Sequence, residues 1–516
     1  MVKNLLTIGI GCIVGWLMAG CDTPGRRLRS AAQATGNPEM CRVAEHYADD
    51  PLRAQAATFL IENLRGHYTR TFDLVERKTG EKTDYSLFRK EITARNYRAW
   101  LDSLGLAVRY RTENDEEAMT ADYLIRNIDL AFEARERYPW ARHYSDSVFM
   151  RYVLPYRIDT EELTDWRTFF RTRYEPMIDT MAGRKDIRGV ARLIIRDVRK
   201  WFGFHPEALM LKPAFTPEEA MACGRGECNS AADIFVLALR AMGIAATKDM
   251  IPVWGTSDGG HVEAVYFDEL GNPVLLDTGE WLAAGPPRVY RMEFDRSAEA
   301  ARRFGQPYFR AVTGEYVATS NPRVAFDSVA GPDERAALAV FSNERWRPAV
   351  WAERREGKVA LFREIGRGIL YLPVLTDGRS VRPAGRPFRL DPRSNLQYHE
   401  PNLDRLVTID LTPLIREAER DTLNPNHYYV AGVRASDCPP FRRAGGRSDL
   451  FGGRGAGRSY LRPLRQTHGA DIPPPHFPQR PGHSSEVLRG VFIGVSFQDI
   501  AFCSAPRASA TTPRAR

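Results

Sequence analysis

At 516 residues the chain has room for several domains, so no single motif describes all of it. Its formal net charge is +8, yet residues 437–516 carry 12 Arg, no Lys and five acidic residues, a net of +7. The body is therefore close to neutral, and the basic balance gives no ground for a nucleic-acid partner.

The N-terminus reads Met-Val-Lys and then a 16-residue apolar run from Leu5 to Gly20. One positive charge, an apolar run and small residues before the cut form a secretory signal over 1–20. A membrane span wants about 20 residues, so the run is short for one. Cys12 lies within it and carries no structural meaning. The segment Leu17-Met-Ala-Gly-Cys21 resembles a bacterial lipobox, with Met18 where a smaller residue is usual. The resemblance implies lipidation at Cys21 and a protein exported and lipid-anchored to a bacterial envelope membrane, on the periplasmic or cell-surface side. An ordinary signal peptide cut nearby is the alternative. Residues 21–38 then read as a flexible tether.

Residues 39–184 are expected to be a helical region. Apolar residues recur at helical spacing over 45–64 and 122–137, and again over 187–201 just beyond it. The charged residues on the other faces are read as solvated. Tyr and Arg are frequent at 151–157 and 171–174; a sugar- or peptide-binding surface is conceivable, and plain packing is the expected account.

The most informative stretch is 222–279. Cys228 follows Gly224 and Gly226 and opens a helical pattern over 229–242, with Gly243 as a C-terminal stop. A helix N-terminus favours a thiolate there, and the two glycines are expected to let the backbone approach a substrate. A strand is predicted over 244–254, followed by the loop Gly255–Gly260. Two further strands, 261–267 and 273–277, flank a turn at 268–272. Such a hairpin sets His261 opposite a position near 277 or 278, beside Asp277. A carboxylate beside an imidazole fixes its tautomer, and the other ring nitrogen can serve a thiol.

Gly-Arg-Gly-Glu-Cys228 before a helix, Gly-Gly-His261 opening a strand and Leu-Leu-Asp277 closing the next resemble the transglutaminase-like superfamily of papain-like thiol enzymes. The resemblance covers roughly 185–290. It implies Cys228 as nucleophile, His261 as general base and then acid, and Asp277 as the orienting acid. The family's oxyanion hole uses the nucleophile's backbone N–H and an upstream donor side chain. Trp201 and Trp254 are candidates for that donor, with a core role the stronger reading for Trp201. No metal or organic cofactor is required, because the triad supplies nucleophile and proton carrier itself; zinc on Cys223, Cys228 and His261 would need a fourth ligand at recognisable spacing. A Cys223–Cys228 disulfide that silences the thiol is the rival arrangement.

From 291 to 436 short alternating segments at 337–341, 346–352, 358–362 and 368–373 predict an antiparallel β-sandwich-like accessory region. Residues 437–516 are rich in Arg, Pro and Gly and read as a disordered or frameshifted tail, though 487–497 has the composition of a strand. The expected fold class is thus multidomain α+β: an N-terminal helical region, a transglutaminase-like α+β core over 185–290, the β-sandwich-like domain and the tail. The expected function is an envelope-anchored thiol enzyme acting on amide bonds. Its partners would be a protein, peptide or glycopeptide substrate and the membrane through the lipid anchor, with no nucleic acid. A non-catalytic surface-binding or assembly lipoprotein is the alternative.

Overall fold

A computed structural model describes residues 23–83, 96–205, 214–276, 279–298, 300, 307–343, 345–399, 406–410 and 489–493. The chain mixes helices with several antiparallel sheets and forms two compact units. One comprises residues up to 252 together with 260–316; the other comprises 253–259 and the chain from 317 onward.

The first unit opens with helices α1 (Pro24–Thr35), α2 (Pro38–His46) and α3 (Pro51–Glu62), each with proline in its first turn; α1 stands where a flexible tether was expected, because it buries Leu28 and Ala32 in the core. The helix expected across 45–64 is therefore two helices. Asp50 accepts hydrogen bonds from the N–H groups of Leu52 and Arg53, and Pro51 lacks an N–H to continue the preceding turn. Strands β1 (Tyr68–Glu76) and β2 (Leu106–Asn114) then pair antiparallel over nine residues inside the stretch expected to be helical. The β1 sequence Tyr-Thr-Arg-Thr-Phe-Asp-Leu-Val-Glu is rich in β-branched and aromatic residues, which suit a pleated ladder.

Helices α4 (Ala121–Arg137), α5 (Trp166–Asp179) and α6 (Ile187–Trp201) follow. Strand β3 (Gly203–Phe204) runs parallel to β4 (Arg225–Gly226), which leads into α7 (Cys228–Ala241). Strands β5 (Ala246–Ile251), β6 (His261–Phe267), β7 (Pro273–Leu275), β8 (Tyr290–Met292) and β9 (Phe309–Ala311) form an antiparallel sheet in the order β7-β6-β5-β8-β9.

One apolar core joins α3 to the sheet, with Leu60, Leu124, Phe170, Ile194, Leu237 and Phe267 all buried in it. The expected boundary at 184/185 therefore divides no units, because neither side closes a core without the other. The boundary expected at 290/291 lies instead at 316/317, since β8 and β9 complete the sheet. The Tyr- and Arg-rich segments are packing elements. Arg157 and Tyr156 both bind Asp115 in the interior, with Arg157 Nε and Nη2 each 2.6 Å from a carboxylate oxygen. Arg167 and Arg240 are also buried and donate to backbone carbonyls of Val153 and Ala246.

In the second unit, Arg335–Ser342 lies between Arg345–Trp351 and Leu370–Thr376, all antiparallel. Phe388–Leu390 and Leu396–Tyr398 extend the same sheet. A three-stranded antiparallel sheet joins Arg323–Ala325, Val359–Leu361 and Arg354–Glu356. Val324, Leu338, Val340, Phe362, Tyr371 and Phe388 form this unit's core. Leu406–Asp410 pairs antiparallel with Arg489–Ile493, so the strand-like piece of the Arg-rich tail is a strand. The rest of 437–516 lies outside the described residues.

Candidate active site

The thiol is placed by a sequence of local devices. Thr216 and Glu219 form a reciprocal capping box that starts the helix Pro217–Cys223, and Gly224 ends it at φ 71°. Gly226 has a packing reason to be glycine. A Cβ there would lie 2.6 Å from the Phe202 ring and 2.9 Å from Ser230 Cβ. The expectation that this glycine serves substrate approach gives way to that internal contact.

Glu227 caps α7. Its Oε2 accepts from the Asn229 N–H at 2.9 Å and its Oε1 from the Ser230 N–H at 3.1 Å. The half-buried Cys228 thiol donates to the same Glu227 Oε2 at 3.5 Å, and the backbone N–H of Val262 is near enough to act on the sulfur. Burial pushes the Cys228 thiol up to about 11, and the adjacent Glu227 carboxylate adds to the rise. The Val262 N–H opposes it without prevailing. The expected thiolate-favouring helix end is thus overridden. A helix N-terminus contributes typically 0.3–1 kcal/mol, and here a carboxylate already occupies its first N–H groups. Cys223 is a second free thiol, fully buried, and burial raises its pKa too.

His261 opens β6, as expected, and sits opposite Ile251 on β5. Gly260 allows the tight entry, since a Cβ there would meet the carbonyl oxygens of Ile251 and Pro252 at 2.5 and 2.7 Å. Helix α7 packs on β6, and the Val262 contact puts the thiol beside the residue that follows His261. His261 Nε2 lies 3.2 Å from Glu263 Oε2, both side chains being largely buried. A carboxylate only accepts, so in this contact Nε2 is the donor. The β6–β7 ladder pairs Val265 with Leu275 and Phe267 with Pro273. That offset leads position 261 toward 279 rather than toward 277 or 278. Asp277 itself lies outside the described residues, as does Cys21.

Glu263 and Glu227 escaped the sequence reading. The i, i+2 spacing of His261 and Glu263 on a single strand, which places both on one face, was available as a signal. Glu227 is not one of the favoured capping residue types, so nothing local marked it.

A buried polar cluster stands behind the thiol. Lys248 on β5 donates to Asn229 Oδ1 at 2.7 Å, to Asp233 Oδ1 at 2.8 Å and to Asp159 Oδ2. Asn229 in turn donates to Asp159 at 3.0 Å, so the residue after Cys228 is clamped at both ends of its amide. Lys248 holds the Asp159 carboxyl below its ordinary value, against burial; burial drives the Asp233 carboxyl well above its own. Trp201 Nε1 donates to Asp197 at 3.2 Å, which commits the donor considered for an oxyanion hole. Trp254 is buried in the second unit. Among the described residues no group of three His, Cys, Asp or Glu is placed to hold a metal ion, and no helix is long and apolar enough to cross a membrane.

Comparison with known protein families, curated proteins and solved structures finds no match to this chain.

Proposed function

We propose that the chain is a thiol enzyme of transglutaminase-like type that acts on amide bonds, held at an envelope membrane through lipid on Cys21. The observation that carries the reading is the position of Cys228 at the start of α7, which packs on the strand that opens with a carboxylate-backed histidine. Cys228 passes its proton to His261 as the sulfur attacks the amide carbon. His261 then protonates the leaving nitrogen as the C–N bond breaks, giving an acyl-thioester and a free amine. Water, deprotonated by His261, releases the acid and restores the thiol; an amine in place of water gives transfer. Hydrolysis of a peptide, isopeptide or glycosylated amide is slightly favoured over amine transfer. Asp277 is the orienting acid by resemblance, and Glu263 is the described carboxylate on the imidazole.

The high pKa of the thiol supports a second reading, a binding or assembly lipoprotein with a vestigial triad. Alkylation separates the two. For an enzyme, His261 assists the sulfur, so His261→Ala slows the reaction of Cys228 with iodoacetamide at pH 7 several-fold. A Cys228 rate unchanged in His261→Ala sinks the enzyme reading.

A further inference from the structure

The polar face of α6 is not evenly solvated. Arg188, Arg192, Arg196 and Lys200 recur every fourth residue and are all exposed. At 1.5 Å rise per residue they form one row about 18 Å long with steps of about 6 Å. None of the four makes an ion pair or hydrogen bond among the described residues. The acids nearby are already engaged; Asp268, which feels the Arg188 charge, accepts from the N–H groups of Leu270 and Asn272. Asp186 caps α6 and pairs with Arg184, while Asp197 is buried against Arg173 and Trp201.

The row borders a groove rather than a convex surface. The groove holds about 640 Å³, and its apolar lining comes from Met177, Met181 and Leu193. Four unpaired cations along an apolar trough are complementary to a linear anion with an apolar side.

We propose that this groove binds an extended acidic peptide segment in which acidic and apolar residues alternate. In an extended chain, alternate side chains share a face at intervals of about 6.6 Å. That matches the cation steps of about 6 Å closely enough for flexible Arg and Lys side chains to follow over three intervals. The acidic face meets the row while the opposite face lies on the methionines, whose flexible thioethers accept varied side chains. A flat lipid surface fits the concavity poorly, and a phosphate polymer offers nothing to the apolar lining. The proposal does not depend on the thiol chemistry.

The test uses the full chain and a fluorescein-labelled decapeptide alternating Glu and Val, read by fluorescence anisotropy. Saturable binding that weakens with salt is expected, and it survives Cys228→Ser. Arg192→Gln with Arg196→Gln should raise Kd on the order of tenfold, since each exposed ion pair contributes a few tenths to one kcal/mol. These residues are exposed, so an unchanged melting temperature shows that the fold is intact. A Glu–Ser decapeptide should bind several-fold more weakly. Equal binding of the Glu–Ser peptide, or no effect of the double variant, overturns the proposal. So does a double variant that loses binding to phosphatidylglycerol vesicles or polyphosphate while the Glu–Val peptide never binds.

Discussion

Replacing Glu227 by Gln removes a charge beside the thiol while keeping an oxygen that can cap α7. The Glu227 carboxylate lies 3.5 Å from the Cys228 sulfur, and the thiol sits at about 11 instead of its ordinary value near 9. Burial is the larger cause of that rise and Glu227 the next. Removing the charge therefore moves the midpoint down from about 11. At pH 8 the thiolate fraction, about one in a thousand with Glu227 in place, would grow. The assay is the rate of Cys228 alkylation by iodoacetamide between pH 6 and 11, followed by mass spectrometry of its peptide. The sign extends to stability. A thiol whose pKa rises on folding favours the folded state below the unfolded value near 9, and that contribution is lost as pH climbs to about 11. In Glu227→Gln the loss begins at the same pH and ends earlier. An alkylation midpoint that stays put or moves upward in Glu227→Gln would refute the electrostatic account, because no other change at that position removes a negative charge.

Two further substitutions probe the frame around the thiol. Lys248→Met leaves Asp159 and Asp233 without their buried cation and should cost about 3–5 kcal/mol in urea unfolding at pH 7. That deficit should shrink toward pH 4 as the stranded carboxyls take up protons; an equal deficit at both pH values would show that packing, not charge, is responsible. Gly226→Ala forces a Cβ into the Phe202 ring and Ser230 and should destabilise by about 1–3 kcal/mol. Its alkylation rate at Cys228 should change as well, since Gly226 lies two residues before the thiol; a fully wild-type melting curve would mean that Phe202 yields freely.

The buried cluster gives the first turn of α7 an unusual foundation. Asn229 is held by groups from the segment before α5 and from β5, so the thiol's position depends on parts of the chain far apart in sequence. The shared core has a polar counterpart: parting 39–184 from 185–290 would take Asp159 from Lys248 and Asn229, leaving Asp233 as the cation's carboxylate in this cluster.

Where local periodicity is strong, sequence alone determined the element. Helix α6 spans 187–201 as its apolar spacing demands, β6 begins at His261, and α7 begins at Cys228 after two glycines and ends before Gly243 at φ 71°. Each is decided by neighbours within a turn or a hairpin, and the residue types announce it. Tertiary structure decided everything that depends on distant partners. The ladder of β1 with β2 crosses a long intervening segment, and the core that merges 39–184 with 185–290 rests on contacts no window contains. The thiol's acidity belongs to the same class. A helix start by itself lowers it, and only the folded chain supplies the desolvation and the Glu227 geometry that reverse the sign. Periodicity is a property of neighbours along the chain, whereas burial and electrostatic environment are properties of the whole folded molecule.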